Sequence, residues 1–230
     1  MLWQRVRISG GSAPTIRDSD LSGVALVVQD GSSPVFADNN ISGDCGCEDA
    51  AVVGGSTPTF EGNTFVFSGL DLLGLDGDGT SAHLERNRFS AHETAALSIS
   101  GGAGATILGN RFYGNNQGVH VDGAFAAVHD NEFVGNWNAV MLSATDATLA
   151  DNTIRGGEYG VSVGNGSAPS IRGNLVENVG TRGISVADGT SPTIEDNTIC
   201  GSPSNLIVGP DASPVLMAND ICADEDTAAG

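Results

Sequence analysis

The sequence contains no lysine, few aromatic residues and no long apolar run, and each absence narrows the class of protein. All nine basic residues are arginines, against 28 acidic residues, so the net charge is −19 over 230 residues. A surface of this sign repels polyanions, so nucleic acid is not expected as a partner. No apolar stretch reaches the length of about 18 residues that a membrane-spanning helix needs, so no membrane span is expected.

What the sequence does contain is an internal repeat of about 22 residues. In each copy an apolar residue stands two positions after a marker residue, another stands three positions before it, and Pro or Ala stands five positions before it. Ser19 is the marker of the first copy, and asparagine is the marker of the others. These asparagines are Asn39, Asn63, Asn87, Asn110, Asn131, Asn152, Asn174, Asn197 and Asn219. Ten copies that obey the same rules predict a repeat architecture.

Within each copy the apolar residues alternate with a period of two, as in Val119-His120-Val121 and Ile184-Ser185-Val186. Gly-rich turns separate the short strands, and no segment has the spacing of an amphipathic helix. Three short strands per copy predict an all-β fold: a single-stranded right-handed parallel β-helix of about ten coils. We expect residues 1–222 to form this β-helix and residues 223–230 to be a linker or tail.

The marker asparagines are predicted to stack in a ladder at one corner of the β-helix. Asparagine tolerates the left-handed backbone conformation that a tight corner needs. We therefore expect each corner asparagine to adopt that conformation and to bond with its neighbours through the side-chain amide. Asn136, by contrast, is expected in a solvent-facing turn.

The segments SPVFADNNISG (residues 33–43) and SPTIEDNTI (191–199) resemble parallel β-helix repeats of the pectin-lyase-like superfamily. They are most similar to the carbohydrate-binding and sugar-hydrolase repeats that include nitrous-oxide-accessory periplasmic proteins. This resemblance implies a polysaccharide or protein partner and an extracytoplasmic location. It leaves catalysis open, because the superfamily holds lyases, hydrolases and epimerases as well as non-catalytic surface proteins.

Several catalytic motifs of the superfamily are absent. No Asp-Asp dipeptide occurs, and without lysine there is no Arg-Ile-Lys type motif. The segment from Glu158 to Ser162 shares only two letters with the Tyr-Gly-x-Asp-Pro-His signature of alginate epimerases. The leading hypothesis is therefore a non-catalytic module that presents a repetitive surface to a polysaccharide or a protein. The alternatives are a polysaccharide lyase, hydrolase or epimerase acting on the face of the first strand, and a structural spacer within a larger surface protein.

The middle coils differ from the others in the turn before the first strand and at the start of that strand. Aligned by coil, polar and aromatic side chains there form two neighbouring rows. The candidate ligand-binding residues are Asn116, Trp137, Asn138, Glu158, Tyr159 and Arg182. Flat aromatic faces beside amides and charged groups are typical of a shallow sugar-binding surface.

Two weaker patterns suggest chemistry. His120 and Asp122 stand at positions i and i+2 of a predicted strand, so they lie on one face and form a candidate acid–base pair. Asp71, Asp76 and Asp78 cluster oxygen atoms that suit calcium, although the segment lacks the remaining ligands of an EF-hand loop. No other cofactor is expected.

The four cysteines bear on the cellular compartment. Cys200 and Cys222 both stand three residues after a corner asparagine, so they stack on adjacent coils at a separation that suits a disulfide. Cys45 and Cys47 share one turn, where a disulfide would be strained. A disulfide favours an oxidising, extracytoplasmic location. The short segments that flank the repeats lead us to expect a module of a longer chain.

Overall fold

The computed structural model describes residues 4–42, 50–66 and 73–223, and every regular element in these ranges is a β-strand. The strands, numbered along the chain, fall into three parallel sheets of ten, and three successive strands make one coil. The first sheet contains β1 (Gln4–Ile8), β4 (Val24–Val28), β7 (Ala50–Val52), β10 (Leu73–Asp76), β13 (Ala95–Ser100), β16 (Gln117–Asp122), β19 (Asn138–Ser143), β22 (Tyr159–Gly164), β25 (Arg182–Val186) and β28 (Ser204–Val208).

The other two sheets are built from shorter strands. The second sheet contains β2 (Thr15–Arg17), β5 (Val35–Ala37), β8 (Thr59–Glu61), β11 (Ser81–Glu85), β14 (Gly104–Leu108), β17 (Phe125–His129), β20 (Thr148–Ala150), β23 (Ser170–Arg172), β26 (Thr193–Glu195) and β29 (Val215–Met217). The third sheet contains β3 (Asp20–Ser22), β6 (Asn40–Ser42), β9 (Thr64–Val66), β12 (Arg88–Ser90), β15 (Arg111–Tyr113), β18 (Glu132–Val134), β21 (Thr153–Arg155), β24 (Leu175–Glu177), β27 (Thr198–Cys200) and β30 (Asp220–Ile221).

This architecture confirms the predicted right-handed parallel β-helix. Each strand pairs only with the equivalent strand of the coils below and above it, in the register that the repeat predicts. Ile107, for example, aligns with Val128, and Val128 aligns with Leu149. Within the described ranges, no helix is long and apolar enough to cross a membrane.

The core is one continuous apolar column along the axis. In coils three to six the column is aromatic: the rings of Phe65, Phe89, Phe112 and Phe133 stack face to face with centroids 4.6–4.8 Å apart. Isoleucine and valine continue the same position in later coils, as at Ile154 and beyond. Full burial of each such side chain contributes about 1.5–3 kcal/mol, so the column is the main source of stability.

The corner between the second and third sheets carries the asparagine ladder. From Asn39 to Asn197, each side-chain amide donates a hydrogen bond to the Oδ1 atom of the next asparagine at 2.9–3.1 Å. Each amide also donates to a main-chain carbonyl of the preceding coil, as Asn131 does to Ile107 at 2.9 Å. The ladder thus satisfies polar groups that would otherwise be buried without partners.

The expected backbone conformation of these asparagines is wrong. The left-handed residue is the one before the asparagine: Asp38, Asp130 and Asp151 have φ values of 55–56°. Gly62, Gly109 and Gly173 have positive φ at the same position in other coils. The turn is made by the preceding residue, so the asparagine keeps an ordinary φ and directs its amide inward.

A second, shorter asparagine file lies where the chain returns from the third sheet to the first. Asn115 donates from its amide to Oδ1 of Asn136 at 2.9 Å, and Asn136 donates to the carbonyl of Phe112 at 3.0 Å. Both are 2% exposed. The expectation that Asn136 faces solvent is therefore wrong. Its side-chain amide is enclosed in the corner, where it bonds to Asn115 and to the main-chain carbonyl of Phe112.

His92 occupies the start of this second file. Its main-chain N–H donates to Oδ1 of Asn115 at 3.1 Å, and its side chain is buried. Neither ring nitrogen meets the geometry of a full hydrogen bond with a described residue, so the nearby main chain of Phe65 acts on the ring only as a weak electrostatic partner. Burial lowers the pKa of His92 from 6.5 to about 4, and the carbonyl of Phe65 opposes only part of this shift.

Cys200 and Cys222 form a disulfide between the last two coils, with Cα atoms 4.9 Å apart. This distance matches the spacing of adjacent parallel strands, so the bridge fits the undistorted coil. Cys45, Cys47 and Asp71 lie outside the described residues.

Candidate functional site

The candidate ligand-binding residues lie along one edge of the first sheet, where four coils enter their first strands. Asn138 on β19 aligns with Gln117 below it and with Tyr159 above it, and Tyr159 aligns with Arg182. Trp137 and Glu158 form the neighbouring row in the preceding turns. The structure therefore brings the six residues together as the two rows that the alignment of coils predicts.

A break in strand alternation directs this row outward. In β22, Gly160 and Val161 are both buried, whereas Tyr159 and Ser162 on either side are partly exposed. A Cβ atom at Gly160 would collide with the carbonyl oxygen of Gly183 in the next coil. Glycine is therefore required here, because the start of the strand packs against the backbone of the coil above it.

Trp137 and Tyr159 form an exposed aromatic pair. Their ring centroids lie 6.1 Å apart at an interplanar angle of 71°, which is an edge-to-face arrangement. Trp137 is 54% exposed, although tryptophan side chains are highly buried on average in folded proteins. The pair thus offers a wide apolar surface to a ligand.

Polar groups flank the two rings. The hydroxyl of Thr181 donates to Oε1 of Glu158, and the amide of Asn116 donates to the carbonyl of Glu93 at 2.8 Å. The guanidinium of Arg182 has no ion-pair partner in the described ranges. A shallow depression of about 460 Å³ lies between Asn116, Trp137 and Glu158. Asn115 of the second asparagine file also lines it, and this file holds the turns that carry these side chains.

His120 and Asp122 both lie on the outward face of β16, as predicted. His120 aligns with Ser98 below and Met141 above, and Asp122 aligns with Ser100 and Ser143. The two side chains make no hydrogen bond with each other or with any other described residue. Their role as an acid–base pair stays a prediction.

The aspartates proposed as calcium ligands are only partly described. Asp76 ends β10 and accepts a hydrogen bond from the hydroxyl of Ser100 at 2.8 Å. Asp78 lies in the following turn. Across residues 4–42, 50–66 and 73–223, no group of three or more His, Cys, Asp or Glu side chains is arranged to hold a metal ion. Calcium binding there stays a prediction.

A second concave surface escaped the sequence analysis. It lies on the outward face of the second sheet and is lined by His83, Gly104 and Phe125, among others. The signal was present in the sequence, because Phe125 stands in a column where most coils carry Ser, Thr or another small residue.

Comparisons with solved structures show the same fold. A double mutant of the periplasmic alginate epimerase AlgG matches with a TM-score of 0.71 and 12% identity, covering 96% of this chain and 73% of that chain. The A-module of the mannuronan C-5 epimerase AlgE6 from Azotobacter vinelandii matches with a TM-score of 0.63 and 17% identity, covering 88% of this chain and 64% of that one. At these identities the likeness concerns the fold alone. No curated protein matches the chain significantly.

A family model described as a right-handed β-helix region matches residues 5–147 and 138–229. These two matches together span nearly the whole repeat, including both rows of the candidate site. The chain therefore belongs to the right-handed β-helix family.

Proposed function

We propose that this chain is a non-catalytic, extracytoplasmic β-helix module that binds an uncharged polysaccharide along the edge of its first sheet. The observation that carries the proposal is the edge-to-face pair of Trp137 and Tyr159, which stands exposed at the entrance of two adjacent strands. Sugar rings present apolar C–H faces that pack against aromatic rings. Asn116, Asn138, Glu158 and Arg182 then orient the hydroxyl groups.

The sheet beside this aromatic pair suits an extended ligand. The neighbouring outward row runs unbroken across the coils, with serines at Ser98, Ser162 and Ser185 and the larger His120 and Met141 between them. Successive coils repeat at about 4.8 Å, so a chain that lies across several coils meets a regular surface. A linear polymer is therefore favoured over a compact ligand.

The charge of the chain favours an uncharged glycan. The structural neighbours are an alginate epimerase (AlgG) and a mannuronan C-5 epimerase (AlgE6), and both of these polymers consist of uronic acids. The net charge of −19 here repels such a polymer, and Glu158 and Asp122 add negative charge close to the rings. Arg182 is the single cation among the six proposed binding residues.

The proposed extracytoplasmic location rests on the bond between Cys200 and Cys222, because disulfides persist in oxidising compartments. A larger surrounding chain also belongs to the proposal, since a repetitive binding surface suits a module attached to other domains.

The test is a titration of the full chain with neutral hexasaccharides (β-1,4-glucan, β-1,3-glucan and β-1,4-mannan) and with oligomannuronate. We expect at least one neutral probe to bind and oligomannuronate not to bind. Trp137→Ala and Tyr159→Ala should each weaken binding by about 30-fold, as expected when an aromatic anchor is removed. Tyr113→Ala is the matched control, because Tyr113 is 51% exposed on the third sheet.

Two results would contradict the proposal: no binding of any neutral probe, or an equal loss in the Tyr113→Ala control. The catalytic alternative is tested by analysing the saccharides after the same titrations for reaction products. Unsaturated products, new reducing ends or epimerised residues that disappear in His120→Ala or Asp122→Ala would establish an enzyme in place of a binding module.

A further inference from the structure

The second sheet carries a hollow of about 500 Å³ on its outward face, away from the edge that holds Trp137 and Tyr159. Four neighbouring strands, β8, β11, β14 and β17, form its floor, and Asp146, just before β20, closes one end. Its volume lies within the range of small-molecule binding sites. The hollow shares no lining residue with the depression beside Trp137.

Two neighbouring residues create the hollow. Gly104 on β14 aligns with Phe125 on β17, so an outward position without a side chain lies directly beside a large ring. On the other side, Gly104 aligns with Ser81. The hollow is therefore a local gap in an otherwise continuous row of side chains.

The exposure of Phe125 is exceptional. It is 67% exposed, whereas Phe36, Phe60, Phe65, Phe89, Phe112 and Phe133 are all fully buried. Its ring makes no aromatic contact among the described residues. Leaving such a ring in water forgoes the burial that the other phenylalanines gain, so its position beside the gap at Gly104 leaves an apolar face open to a ligand.

A fixed imidazole faces the same region. His83 lies on β11, and its Nε2 atom is 3.2 Å from Oε2 of Glu85. Glu85 is held in turn by Arg86, which also binds Glu61. This chain of contacts keeps Nε2 bonded to a carboxylate and leaves Nδ1 as the ring nitrogen that can bind a ligand hydroxyl.

Free hydroxyl groups complete the lining. In the described part of the chain, the side-chain hydroxyls of Thr59, Ser81 and Thr106 make no hydrogen bonds. The hollow therefore combines one exposed aromatic face with an oriented imidazole and several unpaired hydroxyls. Asp146 at the rim and the net charge of −19 disfavour an anionic ligand.

We propose that this hollow is a second saccharide site, which holds a single uncharged pyranose residue with its apolar face against Phe125. The ring of Phe125 supplies the apolar contact, and His83, Ser81 and Thr106 bond the sugar hydroxyls. A further consequence rests on the proposed function: together with the Trp137 and Tyr159 surface, the hollow would let one module engage two chains of a polysaccharide, or two points on one chain, so that two weak contacts reinforce each other.

The proposal is tested by NMR titration of the full chain with the methyl glycosides of glucose, mannose and galactose. The readouts are the methyl signals of Ala127 and Thr106, both of which line the hollow. We expect at least one glycoside to shift these signals. Gly104→Val and Phe125→Ala should each weaken that binding by about tenfold or more. A Cβ atom at Gly104 meets its nearest neighbour, Ser81, at 3.5 Å, so Gly104→Val fills the hollow without disrupting the strand.

Trp137→Ala separates the two sites, because it should leave the shifts at Ala127 and Thr106 unchanged even if the polysaccharide proposal fails. Absence of any shift with all three glycosides would overturn the second site. Unchanged affinity in a folded Gly104→Val variant would do the same. Stronger shifts with an N-acetylated arginine amide than with the glycosides would assign the hollow to a cationic side chain of a protein partner and would also overturn it.

Discussion

The main-chain N–H of His92 donates to Oδ1 of Asn115 in the next coil, so a histidine stands where the second asparagine file would continue. Its ring is enclosed without a full hydrogen bond to a described residue, whereas Asn115 and Asn136 satisfy their amides in the equivalent positions. The file thus contains one member whose protonation is opposed by burial.

His92 makes stability depend on pH. The pKa of His92 is about 4 in the folded chain and has its ordinary value of 6.5 in the unfolded chain. Between pH 6.5 and pH 4 the unfolded chain therefore binds one more proton than the folded chain. The contribution of His92 to stability is therefore complete above pH 6.5 and is lost as the pH falls toward 4, by at most about 3 kcal/mol. The urea midpoint of the wild type should fall between pH 7 and pH 4.5. Most of this fall should be absent in His92→Asn. The same slope in both proteins would contradict this account.

Val128→Asp should prevent folding or destabilise it by several kcal/mol. Val128 is fully buried between Ile107 and Leu149, so the carboxylate would enter a continuous apolar column without a partner. Ala127→Asp is the matched control, because the adjacent side chain lies on the outward face of β17. Thermal unfolding measures both, and similar melting temperatures for the two variants would show that the inward register is wrong.

The inward register of the sheets could be predicted from the sequence because its causes repeat. A charged side chain at an inward position meets apolar neighbours in both adjacent coils, so the period-two pattern and the asparagine spacing leave one consistent arrangement. The two rows that contain Trp137 and Tyr159 follow from the same alignment. Their ligand does not, because binding depends on side-chain chemistry that the repeat does not constrain.

Two features were missed for physical reasons. Asn136 follows a glycine in a turn, and such a segment normally faces solvent. Its bonds with Asn115 and with the carbonyl of Phe112 in the coil below place it inside the corner. At the corner, Asp38 and not Asn39 adopts the left-handed conformation. Both residue types tolerate that conformation, so the sequence alone did not distinguish which of two adjacent residues makes the turn.

Both asparagine files should contribute to stability. Asn131→Leu removes bonds to Asn152, Ile107 and His129. Asn136→Leu removes the bond to Phe112 and the Oδ1 acceptor for Asn115, whose amide keeps only its bond to the carbonyl of Phe89. We expect each to cost more than about 1 kcal/mol, with the larger loss at Asn131.

Asn40→Leu, at an exposed outward position on β6, is the control for these two variants and should change stability little. Chemical denaturation gives the comparison. If Asn136→Leu lowered the free energy of unfolding no more than Asn40→Leu does, the second asparagine file would not contribute to stability.

Reduction of the disulfide should lower the stability of the last two coils. Cross-linking two residues 22 apart lowers the conformational entropy of the unfolded chain, which stabilises the folded chain by about 3 kcal/mol. Reductant should therefore lower the melting temperature of the wild type. A double variant with Cys200→Ser and Cys222→Ser should melt at that lower temperature and not respond to reductant. A further response in the double variant would place the reducible bond elsewhere in the chain.

The same bond has a mechanical consequence. A solenoid that is pulled from its two ends peels coil by coil, because each coil holds only to its neighbours. The link between Cys200 and Cys222 closes a loop of 22 residues, which would span about 70 Å if it were extended. This loop cannot lengthen under tension while the disulfide is intact. Tension that arrives from the carboxyl-terminal side is therefore transferred to the ninth coil through the covalent bond. A tethered module of this kind withstands shear at its last coil without relying on hydrogen bonds there.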